Sequence, residues 1–299
     1  MDKLVSRIDL DQISNSPVAR WIVFFIALGT FAIVDIDSGR IFLDQNSVYP
    51  FLILISVPGT LAIKLGWQAV SVVRRCCIPI GIIVCVSNGL SILADLASMQ
   101  DLLAAQRLIY APLAFGILFS LLLKLVEPRT INEFKLPIFE TLGMSLILIA
   151  AICLAILSTN YNAWSLGLFL NLKVSGVCTV VGLVCLVYPD FKGYSVIQKL
   201  YKTSLAVVLM YASFGVGLHV YNISSSSMEV VTSGMAASLM GLMYGSLIAL
   251  FSIAAGGQSF QTSEQKMFFD WHLIELYAFF VLIVLPPLSL LEIGSAIAN

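Results

Sequence analysis

The chain has 299 residues, of which 59% are hydrophobic and only 11% are charged, and its formal net charge is −1. Soluble domains of ordinary composition are about 25% charged, so this much apolar surface predicts an integral membrane protein. The lack of a basic excess argues against a nucleic-acid partner. The two histidines and six cysteines show no metal-ligand spacing, and no nucleophile motif or phosphate-binding glycine loop is present, so we expect no enzyme, no metal and no cofactor.

The N-terminal segment, 1–19, is polar and places Leu4, Val5, Ile8 and Ile13 at roughly helical spacing. This pattern is compatible with an amphipathic helix on the membrane surface and equally with a cytoplasmic tail. It lacks the apolar core of a signal peptide, so we expect no cleavable signal.

Apolar segments long enough to cross a bilayer as helices occupy most of the remaining chain, because about 20 apolar residues suffice for one crossing. They predict an all-α polytopic membrane protein with about nine transmembrane helices, at 20–35, 48–70, 76–94, 107–126, 136–157, 164–188, 203–220, 230–255 and 271–293. The loops between them are short and leave no room for a soluble domain.

Basic residues recur after every second apolar segment, which sets the predicted orientation by the positive-inside rule. They are Lys3, Arg7, Arg20, Arg74, Arg75, Arg129, Lys135, Lys192, Lys199, Lys202 and Lys266. The opposite side carries little beyond Arg40 and Arg107. We therefore expect a protein of the cytoplasmic (inner) membrane, with its N-terminus in the cytoplasm and its C-terminus outside, in the periplasm.

The outward-running segments end in similar ways, which indicates an internal repeat. Asp35, Asp95, Asn160 and Asn222 fall at equivalent ends, about 60 to 65 residues apart. Two further similarities relate alternate units: IFLDQN with LFLNLK, and ASMQDLL with SSMEVVT. We expect four helical hairpins in one orientation and then a loop with a ninth helix, with boundaries at 20–75, 76–135, 136–202, 203–256 and 257–299.

The eighth segment carries a stripe of small side chains on one face. Its members are Ala237, Gly241, Gly245 and Ala249. Inside a membrane, small residues four positions apart let two helix backbones approach closely. A glycine within a helix costs about 1 kcal/mol relative to alanine, so two on one stripe imply a compensating contact. We expect the stripe to pack on the 48–70 segment, where Gly59 and Thr60 offer a mostly small face.

Two fragments carry motifs found together in one family. The first, GMAASLMGLMYGSLIALF at 234–251, contributes Met235, Ala236, Ser238, Leu239, Tyr244 and Gly245. The second, FLDQNSVYPFLILISVPGTLAI at 42–63, contributes Phe42, Asp44, Pro50, Gly59, Thr60, Leu61 and Ala62. They resemble the third and second membrane helices of the proton-channel subunit in the flagellar stator (MotA) and TolQ/ExbB family, over about 40 of the 299 residues.

This resemblance implies a channel-type or scaffold subunit of a membrane complex, coupled to protons or sodium ions and in contact with lipid, other membrane subunits or copies of itself. Two departures weaken it: Gly241 and Leu242 stand where that family has paired threonines beside the ion path, and the family's large cytoplasmic domain has no counterpart. The alternative function is a secondary transporter of a small solute, because repeats and broken helices are typical of such folds.

Few ionisable residues lie in the apolar segments, and each is a candidate for ion or proton handling. Glu140 lies near the start of the fifth segment and Lys173 in the sixth; Glu140 is alternatively an interfacial carboxylate. The last segment begins DWHLIELY, which places Asp270, His272 and Glu275 within about one and a half helical turns. They form either a proton-handling group or part of an interfacial belt with their aromatic neighbours.

Overall fold

The protein is represented by a computed structural model that describes residues 16–37, 45–94, 99–127, 137–158, 172–187, 196–224 and 228–255. Every regular element in these ranges is helical, which confirms the all-α class. The helices are α1 (Pro17–Asp37), α2 (Gln45–Gly59), α3 (Ala62–Leu65), α4 (Ala69–Ala94), α5 (Met99–Val126), α6 (Ile138–Ser158), α7 (Leu172–Val187), α8 (Val196–Ser224) and α9 (Met228–Ala254). The predicted segment 271–293 lies outside the described residues.

The second predicted segment, 48–70, is interrupted rather than continuous. Helix α2 ends at Gly59, directly after Pro58, and the four residues of α3 and a 3-10 turn at Gly66–Gln68 follow before α4 begins. Gly66 has a φ of 54°, which a residue with a Cβ rarely adopts. One consequence is that α4 starts at Ala69, so the boundary predicted between 75 and 76 falls inside a helix.

The structure tests the predicted membrane crossings only over the described residues. By length and composition, one helical stretch in the described part of the chain can cross a membrane: Val48–Gly89, with a mean hydropathy of 2.0. Shorter apolar helices of 10–17 residues lie at Val18–Ile33, Ala111–Val126, Phe139–Ala155, Val174–Val184 and Leu239–Ala254. The nine crossings therefore stay a prediction.

Two helix pairs form the centre of the fold. Helix α4 packs along α5, α8 packs along α9, and α9 also packs on α4. Helix α2 covers α4 and contacts α6, whereas α7 covers α8. The largest fully buried side chains belong mainly to these central helices: Phe51, Leu54, Ile80, Ile82, Leu113, Val207, Val208, Leu250 and Ile253. Bulky apolar residues of these helices and of α2 thus form the core of the described part of the chain.

The first and third predicted hairpins differ from the structure. Among the described residues, α1 packs mainly on α5 and not substantially on α2, while α6 packs mainly on α2 and not substantially on α7. Aromatic contacts account for the position of α1, because Phe24 meets the edge of Phe119 on α5 at a centroid distance of 6.0 Å. Phe51 of α2 meets Phe115 of α5 at 4.9 Å. Over the described residues, the second and fourth hairpins alone pack as pairs.

The first four long helices and the last four make similar contacts. Helix α2 contacts α4 and α5, as α7 contacts α8 and α9. Helix α1 contacts α5, as α6 contacts α9. The tight pairs α4/α5 and α8/α9 occupy the same place in each set. These contacts thus have counterparts in the two sets, whereas the main contact of α6, with α2, joins one set to the other.

Candidate functional site

Charged side chains from distant parts of the chain meet at one end of the helices. Nε of Arg74 lies 3.0 Å from Oε2 of Glu127, and Nη1 of Arg20 donates a hydrogen bond of 3.3 Å to the backbone oxygen of Glu127. Lys64 forms an ion pair with Glu140. These contacts involve the starts of α1, α4 and α6, the end of α5, and α3. We call Arg20, Arg74 and Glu127 the ionic cluster.

Within the ionic cluster, Arg20 satisfies one backbone carbonyl group at the end of α5, that of Glu127. The last carbonyl groups of a helix have no donor within the helix, and Glu127 directly follows the last residue of α5. Arg20 supplies a donor there, and its positive charge suits the negative end of the helix dipole. The side chains of Arg74 and Glu127 are only 9% and 14% exposed, so their pairing neutralises two largely buried charges.

The pair of Lys64 and Glu140 is of a different kind. Its side chains are 52% and 46% exposed, so water screens the attraction. Glu140 lies in the first turn of α6, where the helix dipole favours a negative charge. The side chain of Lys173 is not among those described, and the proposed roles of Glu140 and Lys173 in ion handling stay predictions.

Gly241 and Gly245 of the small-residue stripe lie against α8. A Cβ on Gly241 would overlap the ring of Tyr211. A Cβ on Gly245 would lie 2.6 Å from Cγ2 of Val208 and 3.2 Å from the backbone oxygen of Ser204. These distances leave no room for a side chain. Ala249 is also fully buried, and the side chain of Ala237 is not among those described.

The expected partner of the stripe, the 48–70 segment, is not the helix that covers it. Helix α9 packs on α8 and α4, and not substantially on α2. A Cβ on Gly59 would meet nothing within 4 Å, and Thr60 is an exposed turn residue whose hydroxyl donates to the backbone oxygen of Val57. Gly59 and Thr60 therefore belong to the end of α2 and form no packing face.

A second close contact, between α4 and α5, was not predicted from the sequence. A Cβ on Gly116 would lie 2.6 Å from the backbone oxygen of Cys77 and 3.2 Å from Cα of Gly81. A Cβ on Gly81 would lie 2.9 Å from the backbone oxygen of Pro112. Backbone therefore meets backbone at this contact. The available signal was glycine inside two apolar segments, Gly81 and Gly89 in the third and Gly116 in the fourth, because glycine within a helix costs about 1 kcal/mol relative to alanine.

The remaining predicted group, Asp270, His272 and Glu275, lies outside the described residues. Within the described ranges, no cluster of three or more His, Cys, Asp or Glu residues is arranged to hold a metal ion. Ser246 is fully buried, and among the described atoms its Oγ has no hydrogen-bond partner. The described features are therefore suited to joining helices: one buried ionic cluster and two glycine-mediated contacts.

The two fragments that resemble the stator family lie on separate parts of the fold. The first falls within α9 and the second includes α2, and these two helices do not pack substantially on each other. The resemblance stays a hypothesis that rests on the two fragments. No model of a known protein family, no curated protein and no solved structure matches this chain.

Proposed function

We propose that this chain is a polytopic protein of the cytoplasmic membrane and serves as a scaffold or channel-type subunit of a membrane complex. The observation that carries the proposal is the apolar exposure of the outer helices. Phe25 and Ile26 of α1 are 61% and 63% exposed, Leu146 of α6 is 68% exposed, and Val180 of α7 is 59% exposed. Soluble monomers rarely expose large contiguous apolar patches, whereas lipid chains cover them without penalty.

Helix length supports several crossings. Helices α1, α4, α5, α6, α8 and α9 contain 21, 26, 28, 21, 29 and 27 residues. About 20 residues of helix cross the hydrocarbon core of a bilayer. Helices α2 and α7 are shorter, with 15 and 16 residues. These lengths fit the predicted bundle, with the shorter helices tilted less or thinning the bilayer locally.

The position of the charges supports the predicted orientation. Arg20, Arg74 and Glu127 meet at one end of the helices, as do Lys64 and Glu140. Basic residues concentrate on the cytoplasmic side of membrane proteins. We therefore place this end at the cytoplasmic surface, with the N-terminus inside.

Two similar four-helix units, rather than four hairpins, account best for the recurring contacts. Gly116 faces the backbone oxygen of Cys77, and Gly245 faces that of Ser204. The glycines are 129 positions apart in the sequence, and Cys77 and Ser204 are 127 positions apart. Helices α5 and α9 also begin at methionines, Met99 and Met228, which are again 129 positions apart.

The sequence similarities have the same interval. IFLDQN at 41–46 and LFLNLK at 168–173 are 127 positions apart, and ASMQDLL at 97–103 and SSMEVVT at 226–232 are 129 apart. An interval of 127 to 129 residues in both the sequence similarities and the contacts is the expected signature of a duplicated unit. We assign α1, α2, α4 and α5 to the first unit and α6 to α9 to the second.

A scaffold is favoured over an open conduction path by the bulky side chains in the described core, such as Phe51 and Leu54 of α2, Ile80 of α4 and Leu250 of α9, which are fully buried. The duplicated unit favours one other function, a secondary transporter, because parallel repeats occur in such folds. Affinity purification from native membranes separates the two. A membrane subunit that co-purifies in fixed ratio supports the scaffold; a solute that raises the thermal midpoint of the isolated protein supports the transporter.

Membrane insertion itself is tested by alkaline carbonate extraction of membranes that contain the tagged protein. We expect the chain to stay in the pellet, because apolar helices are not released by the removal of ionic contacts. Release into the supernatant would contradict the proposal. A reporter fused to Asn299 is expected to be active only outside the cytoplasm, and cytoplasmic activity would contradict the orientation.

A further inference from the structure

The two four-helix units meet through different surfaces. The first unit contributes α2 and α4, and the second contributes α6 and α9: α2 packs on α6, and α4 packs on α9. In the correspondence between units, α2 and α4 match α7 and α8, while α6 and α9 match α1 and α5. Each unit therefore carries both kinds of surface, and the contact inside the chain uses one of each.

When two units that each carry both kinds of surface meet through unlike surfaces, each unit keeps one surface that contacts no other unit. Here these are the α7/α8 face of the second unit and the α1/α5 face of the first. Neither the pair α1 and α7 nor the pair α5 and α8 is in substantial contact within the described ranges. These two faces correspond to the two surfaces that already pack on each other inside the chain, so they are expected to fit each other. Within one chain they do not meet.

Both faces present large apolar side chains. On the α1/α5 face, Ile26, Ile33 and Leu121 are 63%, 62% and 59% exposed. On the α7/α8 face, Val177 and Val184 are 41% and 58% exposed. By contrast, α6, the counterpart of α1, buries Leu148, Ala151 and Ala155, and its main partner is α2.

We infer that a second copy of this chain docks its α1/α5 face on the α7/α8 face of the first copy. The contact between the two molecules then has the same arrangement as the contact between the two units of one molecule. The inference rests on the proposed membrane location and duplicated unit. Repeated contacts between unlike surfaces close into a ring when the rotation permits. The chain thereby becomes a building block of a homo-oligomer.

The direction of the docked helices follows from the contact within the chain. The ion pair of Lys64 and Glu140 brings the end of α2, through α3, to the start of α6, so α2 and α6 run antiparallel. Helices α7 and α1 of neighbouring copies therefore also run antiparallel. Val184, near the end of α7, then lies beside Ile26, in the first half of α1, and Val177 lies beside Ile33, because both pairs of positions are seven residues apart.

Disulfide cross-linking between two differently tagged, co-expressed copies tests this arrangement in native membranes. Cys153 and Cys185 are first replaced by serine. One copy then carries Ile26→Cys and the other Val184→Cys, and a second pair carries Ile33→Cys and Val177→Cys. A disulfide needs Cβ atoms about 3.5–4.5 Å apart. We expect both pairs to give a product that carries both tags.

The matched controls exchange the partners: Ile26→Cys with Val177→Cys, and Ile33→Cys with Val184→Cys. Seven residues of helix separate the two positions on each helix, about 10 Å along the axis, so these pairs should not link. Equal linking in the exchanged pairs, or preferred linking of Ile26→Cys to itself, would overturn the inference.

A lack of any link in a chain that resists carbonate extraction would also overturn the inference, and would leave lipid or residues 271–293 as what covers the two faces. The membrane location would then still stand. Release of the chain by carbonate would instead refute the proposed membrane location, so the two failures are distinguishable.

Discussion

The α4/α5 and α8/α9 pairs both pack closely at glycines, but the atoms that face these glycines differ. Both bring two long helices close together at a glycine. In the α4/α5 pair, Gly81 and Gly116 face each other, and backbone meets backbone. In the α8/α9 pair, Gly241 and Gly245 face the side chains of Tyr211 and Val208. The α4/α5 contact therefore has a glycine on both helices. In the α8/α9 contact, the glycines of α9 make room for large side chains of α8.

The difference has consequences for how each pair responds to mutation. A backbone atom cannot move aside without shifting its helix, whereas a side chain can be shortened by a second substitution. The α4/α5 pair also has an additional connection, because Arg74 at the start of α4 pairs with Glu127 after the end of α5. We therefore expect the α4/α5 pair to be the more sensitive of the two.

Removal of the buried ionic connection should have the largest effect. In Arg74→Met, the Glu127 carboxylate stays largely buried without its partner, and such losses typically lower the free energy of unfolding by about 3–5 kcal/mol. The measurement is the thermal midpoint of the purified protein in detergent. The double variant Arg74→Met, Glu127→Gln should recover much of the loss, because no unpaired charge remains. A single variant as stable as the parent would show that the pair contributes nothing.

A methyl group between α4 and α5 should have the next largest effect. In Gly116→Ala the new Cβ would lie 2.6 Å from the backbone oxygen of Cys77, and overpacking of this kind costs about 1–3 kcal/mol. Gly143→Ala in α6 is the matched control, because its Cβ would meet nothing within 4 Å. Alanine is the better helix former by about 1 kcal/mol, so the control should be slightly stabilised. Equal midpoints for the two variants would contradict the close approach of α4 and α5.

The α8/α9 contact should be rescuable, unlike the α4/α5 contact. Gly241→Ala puts a methyl group into the ring of Tyr211 and should lose about 1–3 kcal/mol. Combined with Tyr211→Ala, the loss should be smaller than the sum of the single losses by about 0.5–3 kcal/mol, because the two residues are in contact. Met243→Leu, a nearly volume-conserving change at a buried position, is the control and should be tolerated. Strict additivity would show that the ring does not occupy this space.

The positions of the helices were predictable because apolar length alone fixes them. Helices α1, α4, α6 and α8 end at Asp37, Ala94, Ser158 and Ser224, each within two residues of the polar positions on which the repeat was based. The break after Gly59 was not predicted, since the apolar run continues through it. Its cause is local: Pro58 precedes the break, and Gly66 adopts a positive φ within it.

The partners of the helices were not predictable from a single sequence. Small residues at Gly241 and Gly245 indicate that a backbone comes close, but not which helix supplies it. The α4/α5 contact has one glycine from each helix at its centre, Gly81 and Gly116. Neither helix therefore shows a row of glycine and alanine four positions apart like that of α9. The pairing of Arg74 with Glu127 was hidden for a related reason, because it depends on the antiparallel packing of α4 and α5 rather than on spacing along one helix.

The smallest expected effect separates the two ion pairs at the charged end. Lys64 and Glu140 are about half exposed, so Lys64→Gln should lower the free energy of unfolding by no more than about 1 kcal/mol, and less at high salt. Arg74→Met, by contrast, should keep most of its effect at high salt, because salt screens buried charges poorly. The measurement is the thermal midpoint of both variants at low and high ionic strength. If Lys64→Gln instead lowered the thermal midpoint as much as Arg74→Met, lipid or a partner would have to shield the pair with Glu140 from water. The contact between α3 and α6 would then contribute as much to stability as the α4/α5 contact.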